Sequence, residues 1–144
     1  MRVLGIDYGT KRVGCAISDP LGIIAQPLPT IQMGTEEELT RAIADIVADK
    51  QVEEVVVGLP WSMDGSLGKS GEKVLEFIVK LRDSLDVPVI EEDERLTTMM
   101  ADKALAALGE SSRVRKKKLD RVAAQLILQS YLDKKSACSK EQPE

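Results

Sequence analysis

The chain has 144 residues, 43% hydrophobic and 31% charged, which suits one soluble domain around a single core. It contains no histidine; this excludes Ser-His and Cys-His catalysis, histidine acid-base chemistry and every histidine metal site. A net charge of −4 argues against binding nucleic acid through overall charge, and 3% aromatic residues argue against a base-stacking platform for single strands.

Residues 2–8 (RVLGIDY) and 12–18 (RVGCAIS) read as short strands joined by a tight hairpin, DYGTKR. A third strand falls within 23–32, IIAQPLPTIQ, where the prolines place it at a sheet edge. These three form an antiparallel meander. The period then changes: Leu39, Ile43, Ile46 and Val47 recur at helical spacing behind a Thr35 cap, with acids in the first turn. VEEVVVGLP (52–60) holds an all-apolar strand of the kind buried on both faces. Val74, Ile78, Leu81 and Leu85 share one face of the next helix, VPVI (87–90) is another buried strand, and TTMMADKALAAL and KLDRVAAQLILQSYL are two further helices. From residue 136 the polar, aperiodic SACSKEQPE predicts a frayed tail.

The order βββαβαβαα predicts an α/β domain over 1–135, with a mixed five-stranded sheet flanked by helices, and a flexible tail over 136–144. No apolar stretch approaches the roughly 18 residues of a membrane span, and MRVLGIDYG lacks a signal-peptide pattern. A cytoplasmic protein is the expectation. Cys15 and Cys138 match no zinc spacing and read as a small core residue and an incidental thiol.

Four segments could carry chemistry, and each also has a plain structural reading. Asp7 ends an apolar run; it serves either as an acceptor for its own turn or as a carboxylate that needs a partner beside a buried strand. In EEDERLTT (91–98), Asp93 or Glu94 would emerge at a strand end, where α/β sheets place ligands; the alternative is an exposed acidic loop with Thr97 capping a helix. Asp120 suits the first turn of the last helix, where it favours the dipole. It also lies at i, i+4, i+7 with Ala124 and Ile127, the face turned to the sheet. The loop GLPWSMDGSLGKSG (58–71) exposes backbone N–H groups suited to phosphate, although it lacks the glycine spacing of a P-loop. An ordinary flexible loop accounts for it equally.

Together and in this order, the four segments resemble the YqgF/RuvX family of RNase H-like nucleases. GIDYGTKRVGCAISD looks like its first motif, GLPWSMDG like its leucine-proline…aspartate-glycine loop, DERLTTMMA like its strand-end motif and DRVAAQLILQSYL like its last helix. The match covers residues 1–132; Gly71 departs from the alanine expected at the start of one helix. The resemblance implies an RNase H-like fold with catalytic, metal-binding acids at Asp7, Glu94 and Asp120, and Asp93 as a substitute for Glu94. It also implies a role in maturing the 5′ end of precursor 16S ribosomal RNA or, alternatively, in resolving Holliday junctions.

Elementary electrostatics fits that set. Two carboxylates about 5 Å apart in an effective dielectric of about 20 repel by about 3 kcal/mol, so converging acids need a cation or a proton between them. Oxygen-only ligands select Mg²⁺ or Mn²⁺, and a pair of such ions would serve phosphodiester hydrolysis without histidine. Gly9, Thr10, Lys11, Arg12, Arg95, Lys116, Lys117 and Arg121 are the candidate phosphate contacts, with Gly65, Ser66 and Lys69 from the glycine loop. A local basic patch such as RVRKKKLDR (113–121) can hold phosphates because salt screens acids more than about 8–10 Å away; a solvated helix entrance is the plain alternative.

Structured RNA is the favoured partner and branched DNA the alternative, with no membrane. A monomer is favoured over a dimer, because no long apolar dimer surface stands out. Two rivals from other classes remain. A nucleotide-binding module of the actin/sugar-kinase type would use the DYGT turn on ATP phosphates, but it needs two such lobes. An RNA-binding or ribosome-assembly factor would keep the fold without cleavage.

Overall fold

The computed structural model describes residues 1–9, 11–61, 64–93 and 95–141, with 96, 97 and 139–141 described by backbone alone. Along the chain run β1 (Val3–Tyr8), β2 (Arg12–Ser18), β3 (Ala25–Gln32), α1 (Glu36–Asp49), β4 (Glu54–Leu59), α2 (Lys69–Ser84), β5 (Val89–Asp93), α3 (Arg95–Ala107) and α4 (Ser112–Glu141). The sheet order is β3-β2-β1-β4-β5. β1 pairs antiparallel with β2 and parallel with β4, so it lies in the middle of the sheet. β5 continues the parallel half. Among the described residues, no helix is long and apolar enough to cross a membrane.

Side-chain alternation along the strands divides the core in two. Leu4 and Ile6 of β1 join Val55, Val57, Leu39, Ile43, Phe77 and Ile78 beneath α1 and α2. Val3 and Val56 face the other way, into a smaller cluster with Ala124, Ile127, Leu128 and Leu132 of α4. Gly5 and Asp7 share the parity of Val3 and therefore the α4 face. Thr35 accepts a hydrogen bond from the Glu38 N–H at 3.1 Å and caps α1 as its sequence predicts. Helix α2 starts at Lys69 behind Gly68, and Gly71 does not interrupt it, because the Leu67 side chain fills the space an alanine methyl would take.

Three boundaries differ from the sequence reading. β5 begins at Val89 and continues through Asp93, so Glu91, Glu92 and Asp93 are strand residues rather than a loop. α3 opens at Arg95, leaving Thr97 inside the helix. α4 starts at Ser112, where the Ser111 hydroxyl accepts from the Val114 N–H at 3.3 Å and the Ser111 carbonyl from the Arg115 N–H at 2.9 Å. Asp120 is consequently in the third turn of α4, too far from its start for the dipole reading.

Helix α4 is described through Glu141, where the sequence reading places a frayed tail from 136; residues 142–144 of that tail lie outside the described residues. Its last turns carry Lys134, Lys135, Ala137 and Lys140, good helix formers, and the first proline after them is at 143. Residues 133–138 are exposed, so that stretch needs no apolar period.

Candidate active site

Asp7 sits near the end of the central strand, half-buried on the face that α4 crosses. Its register partner on β2 is Gly14. A methyl at Gly14 would stand 3.4 Å from the Ala124 Cβ and 3.5 Å from the Asp7 Cβ. These are ordinary van der Waals distances, and they put Gly14, Ala124 and Asp7 side by side where α4 crosses the sheet. Asp120 is one helical turn before Ala124 and is exposed. Burial raises the pKa of the Asp7 carboxyl, and the nearby negative charge of Asp120 raises it further. The fold thus brings two acids, 113 residues apart in sequence, to one spot.

The remaining predicted acids are placed differently. Glu94 lies outside the described residues, as does Thr10. Asp93 shares strand parity with Val89, which packs beneath α2, so it points to the face opposite Asp7. Its carboxylate accepts from the Arg95 backbone N–H at 2.9 Å and pairs with the Arg95 guanidinium at 2.9 Å. Burial works to raise the Asp93 pKa, but the hydrogen bonds and charge of Arg95 outweigh it and leave the value lowered. Asp93 is therefore occupied as the acceptor at the entrance to α3. Among the described residues, no group of three or more Asp, Glu, His or Cys side chains gathers to hold a metal ion; the assembled acids are the pair Asp7 and Asp120.

One acid on the α4 face escaped the sequence reading. Glu92 pairs in register with Gly58, and the β1–β4 register places Gly58 beside Asp7. Glu92 is 5% exposed and is held by Lys134, with Ser130 donating at 3.4 Å. Its alternation with Ile90 was the available signal. The Lys134 partner marks it as part of the α4–β5 packing.

The candidate phosphate contacts form three groups. Lys11 and Arg12 are exposed at the β1–β2 hairpin. Gly9 closes that hairpin: a methyl there would come within 2.3 Å of the Arg12 carbonyl oxygen. In the glycine loop, the Ser66 N–H and hydroxyl both donate to Asp64, at 2.9 and 2.6 Å, and Gly65 takes φ +86°. These bonds, helped by the charge of Arg95, hold the Asp64 carboxyl below its ordinary value. Ser66 is thus engaged within its own turn, whereas Lys69 is exposed at the start of α2. On α4, Lys116, Lys117 and Arg121 are exposed around Asp120. Their neighbours Arg115 and Lys118 are paired, with Asp102 at 2.7 Å and Glu110 at 2.5 Å.

A meander of three strands extended by two parallel strands, with α4 crossing the central strand, is the RNase H-like fold. The RuvC of T. thermophilus, solved in complex with a Holliday junction substrate, has the same fold. Its TM-score is 0.60 at 15% identity, covering 95% of this chain and 96% of that one. The fowlpox virus Holliday junction resolvase gives 0.52 at 15% identity, with 93% and 99% covered.

The chain belongs to the RuvX family, whose model, described as "RuvX: Holliday junction resolvase", matches residues 1–134. A relative from Caldanaerobacter subterraneus subsp. tengcongensis is 51% identical over 134 residues, 92% of this chain and 96% of that protein. One from Desulforamulus reducens is 45% identical over 133 residues, 92% and 97%. Both carry the name "Putative pre-16S rRNA nuclease".

Proposed function

We propose that this protein is a metal-dependent endonuclease that cuts phosphodiester bonds in structured RNA, in maturation of the 5′ end of precursor 16S ribosomal RNA, as a cytoplasmic monomer. The convergence of Asp7 and Asp120 across the β1–α4 contact carries the reading. The names of the relatives support the choice of RNA.

The donor set fits a hard cation. Asp7 and Asp120 offer only oxygens, the chain has no histidine, and a positive ion between the two carboxylates would relieve the repulsion that raises the Asp7 pKa. When bound, Mg²⁺ or Mn²⁺ ions, as a pair, would activate a water and stabilise the leaving oxygen. The contribution of the chain itself is position. Asp7 is held by the central strand and Asp120 by a helix packed on it, so neither backbone reorganises when substrate arrives. Glu94 is the third carboxylate in this reading. Lys11, Arg12, Lys116, Lys117 and Arg121 hold the phosphates on either side of the scissile bond.

Cleavage of a model precursor RNA in Mn²⁺ by wild type and Asp7→Asn tests the proposal. Activity in wild type that disappears in the variant supports it; equal trace activity in both overturns it. The family description favours a second reading, resolution of branched DNA. Paired cuts in a two-fold substrate call for a C2 dimer. A sedimenting dimer that cuts four-way junctions and leaves precursor RNA whole would select that reading instead.

A further inference from the structure

Gly5 lies on the same face of β1 as Asp7, one same-face step before it, and under α4. A methyl at Gly5 would stand 2.7 Å from the Leu128 Cβ, 3.1 Å from the Ala124 carbonyl oxygen and 3.5 Å from the Leu128 Cα. All three atoms belong to the helix backbone or are fixed directly to it. No rotamer change can move them; only a shift of α4 or β1 can. Ala124 and Leu128 are 6% and 0% exposed, so the contact is already closed at packing distance. By comparison, a methyl at Gly14 would meet its neighbours at ordinary van der Waals distances of 3.4 and 3.5 Å.

We infer that Gly5 is a positioning residue: its lack of a side chain sets how closely α4 approaches β1, and thereby the spacing between Asp7 and Asp120. The lever is short on both sides. Asp7 is two residues beyond Gly5 on the strand, and Asp120 is one turn before Ala124 on the helix. A wedge at Gly5 therefore moves the two carboxylates apart instead of merely loosening the core. The inference rests on the nuclease reading proposed above.

Gly5→Ala is expected to lower kcat by about 10²-fold, the scale of a 1 Å misplacement, while KM, set by the cations on the hairpin and α4, stays within about twofold. Half-saturation by Mn²⁺, followed by calorimetry without RNA, should shift to higher concentration. Asp120→Glu supplies the decisive comparison. In the native background the longer side chain overshoots and activity falls. In Gly5→Ala it bridges the widened gap and restores part of both kcat and Mn²⁺ binding. Asp120 is exposed, so a core defect alone could not be repaired from that position. Should Gly5→Ala fail to fold, Ala124→Val wedges the same helix one strand over, where the Ala124 Cβ faces Gly14, and takes the same Asp120→Glu test. Rescue by Asp120→Glu supports the inference; unchanged kcat and Mn²⁺ binding, or loss without rescue, overturns it. If wild type shows no Asp7-dependent cleavage, the nuclease reading fails instead, and the Mn²⁺ titrations still judge the spacing.

Discussion

Asp120 on α4 lies near enough to Asp7 on β1 for its charge to add to burial in raising the Asp7 pKa. The two acids are thus poised against each other, a state relieved by a proton or a cation.

That relationship gives Asp7→Asn a definite stability signature. A carboxyl whose folded pKa is raised above its ordinary 3.8 contributes stability that is fully present below that value and is lost as pH rises through the folded one. At neutral pH in EDTA the ionised form is unfavourable, so Asp7→Asn should melt at or slightly above the wild-type temperature. Adding Mg²⁺ should raise the wild-type melting temperature and leave that of the variant unmoved. A large loss of metal-free stability in Asp7→Asn would contradict this account.

Asp93 should behave in the opposite way. Its lowered pKa means that its contribution is present above 3.8 and is lost as pH falls through the folded value. Asp93→Ala removes the acceptor for the Arg95 N–H and should cost about 0.5–2 kcal/mol at pH 7, as loss of a helix cap does. The half-exposed ion pair adds little. In urea titrations the gap between variant and wild type should narrow toward pH 3. Mn²⁺ binding should stay within about twofold, the expected spread for a residue that is no ligand; a large loss would restore Asp93 to the metal site.

Replacing both Lys116 and Lys117 by alanine tests the substrate track. Removing each lysine that touches a phosphate should lower the slope of log affinity against log salt by about 1, with kcat at saturating RNA nearly unchanged. Arg115→Ala is the control. Its guanidinium already donates to Asp102 and to the Glu110 carbonyl, at 2.7 and 2.8 Å, so its removal should reduce stability and leave the salt slope alone. Identical slopes for the double variant and wild type would remove these lysines from the interface.

Gln129 ties helix α4 to the edge strand and the turn before it. Its side chain accepts from the Ala25 N–H and donates to the Ile23 carbonyl, both at 2.9 Å. Gln129→Ala leaves a partly buried donor unpaired and should cost about 1–3 kcal/mol. Urea unfolding would show the loss, and hydrogen exchange at the Ala25 amide should quicken. Native protection of that amide in the variant would disprove the tie.

The element order was legible because each element carries its own period. Short apolar runs on either side of the DYGTKR turn marked β1 and β2, all-apolar runs marked the parallel strands, and Leu39 with Ile43 marked α1. The boundaries of α4 were not legible. Apart from the lone Val114, Arg113 to Lys118 are all cations and show no apolar stripe, so the Ser111 start was hidden and Asp120 read as a first-turn residue. The partner of Asp93 was equally hidden, because strand parity depends on where β5 begins.

By itself, the sequence determined the classes of chemistry open to this protein and the residues able to perform it. A chain without histidine leaves oxygen ligands and cations, and periodicity is a local property that a single strand or helix expresses alone. Tertiary structure alone decided which acids meet. Asp7 and Asp120 share a site because β1 lies mid-sheet and α4 crosses it over Gly5 and Gly14, and close approach between distant segments depends on packing that no local pattern records.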